Sequence, residues 1–200
     1  MNLDEAKQEL IEHGYILEKK ESSKKYTLTE ETTKINGHIV HRIKALKTFK
    51  NKTYGIIKAG ELGGWVESED NLSQYEKCWL CDNAMVYGDA RIYGNARIYG
   101  NAIVYGDAIV CGDVIVCGDA RVCDNARIYD TKDYCIIIGF GSRLSATTFF
   151  RCKDDEIRVN CGCFNGTLDE FRDKVKETHK DNKYAKEYLL AIDMVKVHFS

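Results

Sequence analysis

The chain has 200 residues, 44% apolar and 30% charged, a balance that describes a globular protein and excludes collagen-like and disordered classes. No stretch reaches the roughly 18 to 20 uncharged apolar residues a spanning helix needs, and MNLDEAKQEL lacks a signal peptide's apolar core, so a cytoplasmic protein off the membrane is expected. Charge nearly cancels overall, but residues 61–130 hold 5 basic against 12 acidic side chains; the most regular segment is acidic, which argues against nucleic acid.

Three regions follow in chain order: a helix and strand cap over 1–55, a repeat over 56–130 and an α+β unit over 131–200. In the first, Asn2 caps a predicted helix with Leu3, Ala6, Leu10 and Ile11 on one face and Gly14 past its end. Tyr26–Thr29 and His38–Phe49 read as strands. Gly60, Gly63 and Gly64 around Trp65 predict a tight entry into the repeat.

From Leu80 to Arg127 the chain reads LCDNAM, VYGDAR, IYGNAR, IYGNAI, VYGDAI, VCGDVI, VCGDAR, VCDNAR. The first position is always aliphatic: Leu80, Val86, Ile92, Ile98, Val104, Val110, Val116 and Val122. The fifth is Ala, or Val114 in one unit. Each unit predicts a three-residue strand with its middle side chain inward, such as Arg91-Ile92-Tyr93. Gly at the third position gives a corner with positive φ, and the following Asn or Asp bonds its own turn. Stacked about 4.8 Å apart, such coils satisfy one another as parallel ladders, which makes the segment a β-solenoid. A helix fails, because six is not a multiple of 3.6 and the glycines would cost about 1 kcal/mol each.

These units resemble the left-handed parallel β-helix proteins with hexapeptide repeats. That resemblance implies three units per coil, a triangular prism and left-handedness, where the general crossover rule would favour the right hand. More narrowly, YGIIKAGELGGWVESEDNLS and GCFNGTLDEF look like hexapeptide-repeat proteins of phages and prophages, which implies a host-cytosol location. Many members of the wider family are acyltransferases with a His base near the coils. Here His13, His38, His41, His179 and His198 all lie outside the regular repeat, so acyl transfer requires His38, His41 or His179 to fold back over a coil.

Cys111, Cys117 and Cys123 recur at one repeat position, and the total of nine cysteines is odd, so free thiols are expected. Cys81, Tyr99 and Cys117 share a column, which separates the two sulfurs by about 9 to 10 Å of rise and forbids a disulfide. Cys152, Cys161 and Cys163 lack the paired spacing of a zinc site and read as packed neighbours, with no metal or cofactor implied.

Beyond Asp130, CIIIGF reads as a strand buried on both sides, followed by strands at Thr147–Arg151 and Ile157–Cys161. Thr167 with Glu170 forms a capping box for a helix carrying Leu168, Phe171 and Val175; a second stripe holds Tyr184, Tyr188, Ile192 and Val195. Ser142, Arg143 and Thr147, with Asn165, Gly166 and Thr167 at the helix start, form a candidate anion site, with Arg143 as counter-charge.

Positions 18 apart stack on one face. Met85, Tyr87, Ile103 and Tyr105, with Arg121 on the next rung, make a candidate partner or self-association surface, which the N-terminal segment alternatively covers. The preferred reading is a non-enzymatic homo-oligomeric scaffold or binding protein, a trimer or dimer. It would serve counter-defence by capturing a host protein or a small anionic signal. A displaced-base acyltransferase and a purely structural assembly unit are the alternatives.

Overall fold

The computed structural model describes residues 24–51 and 55–200. The helix expected over residues 2–14, and His13, lie outside them. The described residues open with a hairpin of β1 (Tyr26–Ile35) and β2 (His38–Ala45). Its turn is Asn36-Gly37 with φ of 49° and 89°, the dipeptide preferred where both central residues need positive φ. The expected strand at His38–Phe49 therefore ends at Ala45, and β3 (Phe49–Asn51) and β4 (Gly55–Ile57) make a second small hairpin.

The solenoid starts at β5 (Leu62–Val66), which pairs antiparallel with β2 on one edge and parallel with the next coil on the other. This double pairing needs glycine. A Cβ on Gly64 would sit 2.5 Å from the Ala84 carbonyl oxygen, and one on Gly63 would sit 2.6 Å from Ile43. Nine two-residue strands follow, shorter than the three residues expected. They are β6 (Trp79–Leu80), β7 (Met85–Val86), β8 (Arg91–Ile92), β9 (Arg97–Ile98), β10 (Ile103–Val104), β11 (Ile109–Val110), β12 (Ile115–Val116), β13 (Arg121–Val122) and β14 (Arg127–Ile128).

The strands stack in three parallel ladders, β5-β7-β10-β13, β8-β11-β14 and β6-β9-β12, in a mainly β solenoid of about four turns. Within the regular part the register is 18 residues, as in Ile103 with Arg121 and Ile109 with Arg127. All eight aliphatic positions and all eight small positions of the repeat are fully buried. At about 25 cal/mol per Å² of apolar area removed from water, this single file of side chains is the main stabilising term. All nine cysteines are free thiols.

Outside the strand pairs themselves, the bonds between turns of the solenoid run from the N–H groups of one turn to the carbonyls of the next, so the first turn leaves carbonyls open and the last leaves N–H groups open. The first turn receives donors. Lys25, 2% exposed, donates from Nζ to the carbonyls of Cys78 at 2.8 Å and Glu76 at 2.9 Å. Asn51 Nδ2 donates to Lys77 O, and Tyr26 Oη to Leu72 O. The last turn receives acceptors: Ile115 N donates to Tyr134 Oη at 3.1 Å, Arg121 N to Thr148 Oγ1 at 3.2 Å, and Tyr129 N to Asp133 Oδ2 at 3.0 Å.

Tyr134 and Thr148 belong to a four-stranded antiparallel sheet ordered β15 (Tyr134–Ile137), β16 (Thr147–Arg151), β17 (Ile157–Cys161), β18 (Phe164–Thr167), and Asp133 to the short turn that leads into it. The apolar run at 135–140 is the edge strand β15, only half-buried, with Ile138 exposed, which corrects its expected burial on both sides. The doubly covered strand is β16. Phe150 packs into the solenoid core, and Phe149, on the other face, packs against helices α1 (Leu168–His179) and α2 (Lys183–His198). Among the described residues no helix is long and apolar enough to cross a membrane.

Candidate functional site

Ladder register decides which corner residues meet. Asn101 and Asp119 lie one turn apart, and Asn101 Nδ2 donates to Asp119 Oδ1 at 3.1 Å; Asn83 Nδ2 donates to Asn101 Oδ1 at 3.3 Å. Asn101, Asp119 and Arg121 form one wall of a cleft of about 450 Å³, whose opposite wall is Arg143, Ser145 and Asn160 of the C-terminal unit. Ile103, Ala146 and Cys163 add apolar surface to it.

Arg143 owes its position to Gly162, in the turn between β17 and β18. A Cβ at Gly162 would lie 2.4 Å from Arg143 Nε, and its φ of +65° is itself a conformation that L side chains avoid. Asn160 is nearly buried on β17, with Nδ2 3.9 Å from Cys123 Sγ. Among the described residues neither Arg121 nor Arg143 makes an ion pair. By contrast Arg127 pairs with Asp107, Arg158 with Asp124 and Arg172 with Asp169. Two guanidinium groups from separate parts of the fold thus share a cleft without counter-ions of their own.

Arg143 also borders a smaller pocket of about 210 Å³ between its loop and α1, which Ser142, Phe164, Lys174, His179 and Tyr188 line. Ser142 Oγ is 3.4 Å from His179 Nε2, and the His179 ring stacks on Tyr188 with centroids 5.6 Å apart. Lys174 is partnered by Glu177 at 2.8 Å. Burial pushes the Tyr188 hydroxyl above its ordinary value.

A family model described as the YdcK beta solenoid repeat matches residues 90–106 and again residues 96–112. The solenoid is thus a recognised repeat type. No curated protein matches the chain. The matched stretch covers part of the coils and stops short of Arg121 and Arg143.

Of the six residues expected to hold an anion, Ser142 and Arg143 reach these cavities. The other four have structural partners. Thr147 is buried and donates to Cys161 Sγ at 3.3 Å; Asn165 Nδ2 donates to Asp124 Oδ2 at 2.8 Å. Gly166 and Thr167 close β18, and Thr167 is at the same time the N-cap that opens α1: its N–H donates to Glu170 Oε2 at 2.8 Å in the expected capping box. The start of α1 is therefore occupied by the chain's own carboxylate. Cys161 closes β17 while exposed Cys163 lies past Gly162, so they are not neighbours on one strand face. Among the described residues no group of three His, Cys, Asp or Glu is placed to hold a metal.

The stacked column reads differently from a bare surface. Tyr87 is 3% exposed beneath the β1–β2 hairpin: Asn36 Nδ2 donates to its hydroxyl at 3.0 Å, and the His38 ring packs against its ring at a tilt of 38°, with centroids 4.7 Å apart. Tyr87 in turn stacks on Tyr105 at 5.3 Å. Met85, Ile103 and Tyr105 remain partly exposed. His38 thus does fold over a coil, and its Nδ1 lies 2.9 Å from Glu67 Oε1. His41 faces the Thr29 carbonyl.

Sequence reasoning missed Asn101, Asp119 and Asn160 as lining residues, and Lys174, His179 and Tyr188. The 18-residue register does carry a signal for Asn101 beneath Asp119. Nothing in the sequence places Arg143 opposite Arg121.

Proposed function

We propose that the chain is a non-enzymatic binding protein whose solenoid and C-terminal sheet together capture a small anion between Arg121 and Arg143. The observation that carries this reading is the pair of arginines that share one cleft without ion-pair partners among the described residues. A guanidinium offers a rigid fork of donors suited to phosphate or carboxylate, and a rigid scaffold lowers the entropy cost of binding. The 18-residue register over three ladders supports three six-residue units per turn and a triangular cross-section, and the resemblance of the units to hexapeptide repeats supports the left hand. The phage-like flanks support a counter-defence role in the host cytosol, and the exposed parts of Met85, Ile103 and Tyr105 support self-association.

Calorimetric titration with inorganic phosphate tests the anion site. Binding to the wild type should weaken by roughly tenfold in Arg143→Ala and in Arg121→Ala, the scale of a charge-assisted hydrogen bond. Equal binding by all three proteins, or none by the wild type, would overturn the reading. Sedimentation of the Ile103→Asp, Tyr105→Glu double variant tests the oligomer.

One observation favours a second reading. The His38–Glu67 pair over Tyr87 is a carboxylate-oriented imidazole, the arrangement a general base requires, and it supports acyl transfer. Acetyl-CoA turnover that is lost in His38→Ala would establish it; no turnover and a copurifying ligand would favour capture, and neither a ligand nor turnover a purely structural assembly unit.

A further inference from the structure

The arginine cleft contains a carboxylate, and a bare anion would not be served by one. Asp119 stands in the same cleft as Arg121 and Arg143, paired with neither, and its Oδ1 accepts from Asn101 Nδ2 at 3.1 Å. Its second oxygen has no partner among the described residues. The wall opposite carries Asn160, an almost buried carboxamide whose side-chain hydrogen bonding among the described residues is one long approach to sulfur, 3.9 Å from Cys123 Sγ. Buried carboxamides ordinarily satisfy both ends, so a weakly served one beside open space suits a bound hydroxyl. Ser145 adds a hydroxyl nearby.

Resting on the anion-binding reading, the geometry points to a sugar phosphate as the ligand class. The phosphate lies between the Arg121 and Arg143 guanidinium groups, and adjacent sugar hydroxyls donate to Asp119 and bond the Asn160 amide. A phosphate alone is repelled by Asp119. A phosphate carrying hydroxyls turns that carboxylate into an acceptor. The cleft of about 450 Å³ is roomy enough for a pentose phosphate. The adjoining pocket, which shares Arg143 and Cys163 with it and contains Phe164, His179 and Tyr188, is where the base of a nucleotide would rest.

The experiment is a calorimetric comparison of inorganic phosphate, ribose 5-phosphate and adenosine 5′-monophosphate on the wild type and on Asp119→Asn, which keeps an oxygen for Asn101. Wild type should bind ribose 5-phosphate roughly tenfold more tightly than phosphate. In Asp119→Asn the order should converge, with phosphate binding strengthened and ribose 5-phosphate binding weakened. Tighter binding of the nucleotide than of ribose 5-phosphate assigns a nucleotide source, and equal binding assigns a free sugar phosphate; either outcome upholds the class. Phosphate binding as tightly as both, unchanged by Asp119→Asn, overturns the class but leaves anion capture standing. Failure of all three to bind overturns both.

Discussion

Glu76 Oε2 lies 2.8 Å from the backbone nitrogen of Gly94, one turn further along the solenoid. Two other acids repeat this relationship at the remaining corners. Glu67 Oε2 accepts from Gly88 N at 2.7 Å, and Asp82 Oδ2 from Gly100 N at 3.0 Å. Glu76 and Asp82 stand in register where the next turn has Gly94 and Gly100, while Glu67, in register with Tyr87, reaches one residue further to Gly88; all three carboxylates seat a corner of the next turn.

Removing one of these carboxylates should therefore loosen the start of the solenoid. Glu76→Ala is expected to cost about 1 kcal/mol, the ordinary net worth of a hydrogen bond to an exposed acceptor, measured by urea unfolding.

Glu67 adds a pH dependence. Its bond with His38, then the Gly88 N–H, holds its carboxyl below the ordinary 4.5. A carboxylate with a depressed folded-state value contributes stability that is present above the unfolded value and lost as pH falls through the folded one. Stability should decline below about pH 4.5 in the wild type and decline less in Glu67→Gln. Parallel pH profiles for the two proteins would refute this.

Gly162→Ala should act on Arg143 at a distance from the ligand. The new methyl would lie 2.4 Å from Arg143 Nε, so the guanidinium must leave its place, and the positive φ adds strain of about 1 kcal/mol. Weaker phosphate binding in a folded protein is the expected result; the circular dichroism spectrum checks the fold.

Lys25→Met keeps the apolar stem and removes the donors. The carbonyls of Glu76 and Cys78 then lose a partner, at a cost of about 2 kcal/mol for leaving them unsatisfied. Burial lowers the Lys25 value, so its ammonium is already held against a desolvation penalty that its carbonyl partners offset.

Thiol labelling separates the cysteines. Burial raises Cys81 and Cys123 to about 11 and Cys152 to about 12, whereas Cys163 is exposed. Iodoacetamide at mild alkaline pH should modify Cys163 first, and reductant should leave the melting temperature unchanged. Early loss of Cys123 would contradict the packing.

How much of this was legible depends on whether the determining contacts are periodic. Val104 and Ile98 face the core because a six-residue rhythm gives them no other place, and the same rhythm sets the 18-residue register. The strands at Thr147–Arg151 and Ile157–Cys161 were readable from local pattern. The order of that sheet was not: an apolar run at 135–140 resembles a central strand, yet Phe149 and Phe150 place β16 between the two cores. The cleft was half legible. Register aligns Asn101 with Asp119, but Arg143 meets them only because β16 docks on the last turn, a contact with no sequence period.

The opposite polarity of the two solenoid ends has one more consequence. A bare finish offering N–H groups matches a bare start offering carbonyls, so uncapped copies would zip head to tail into an open filament. Lys25 and Asn51 at one extremity, with Tyr134 and Thr148 at the other, occupy backbone groups that such a filament would use, whatever the number of coils between them.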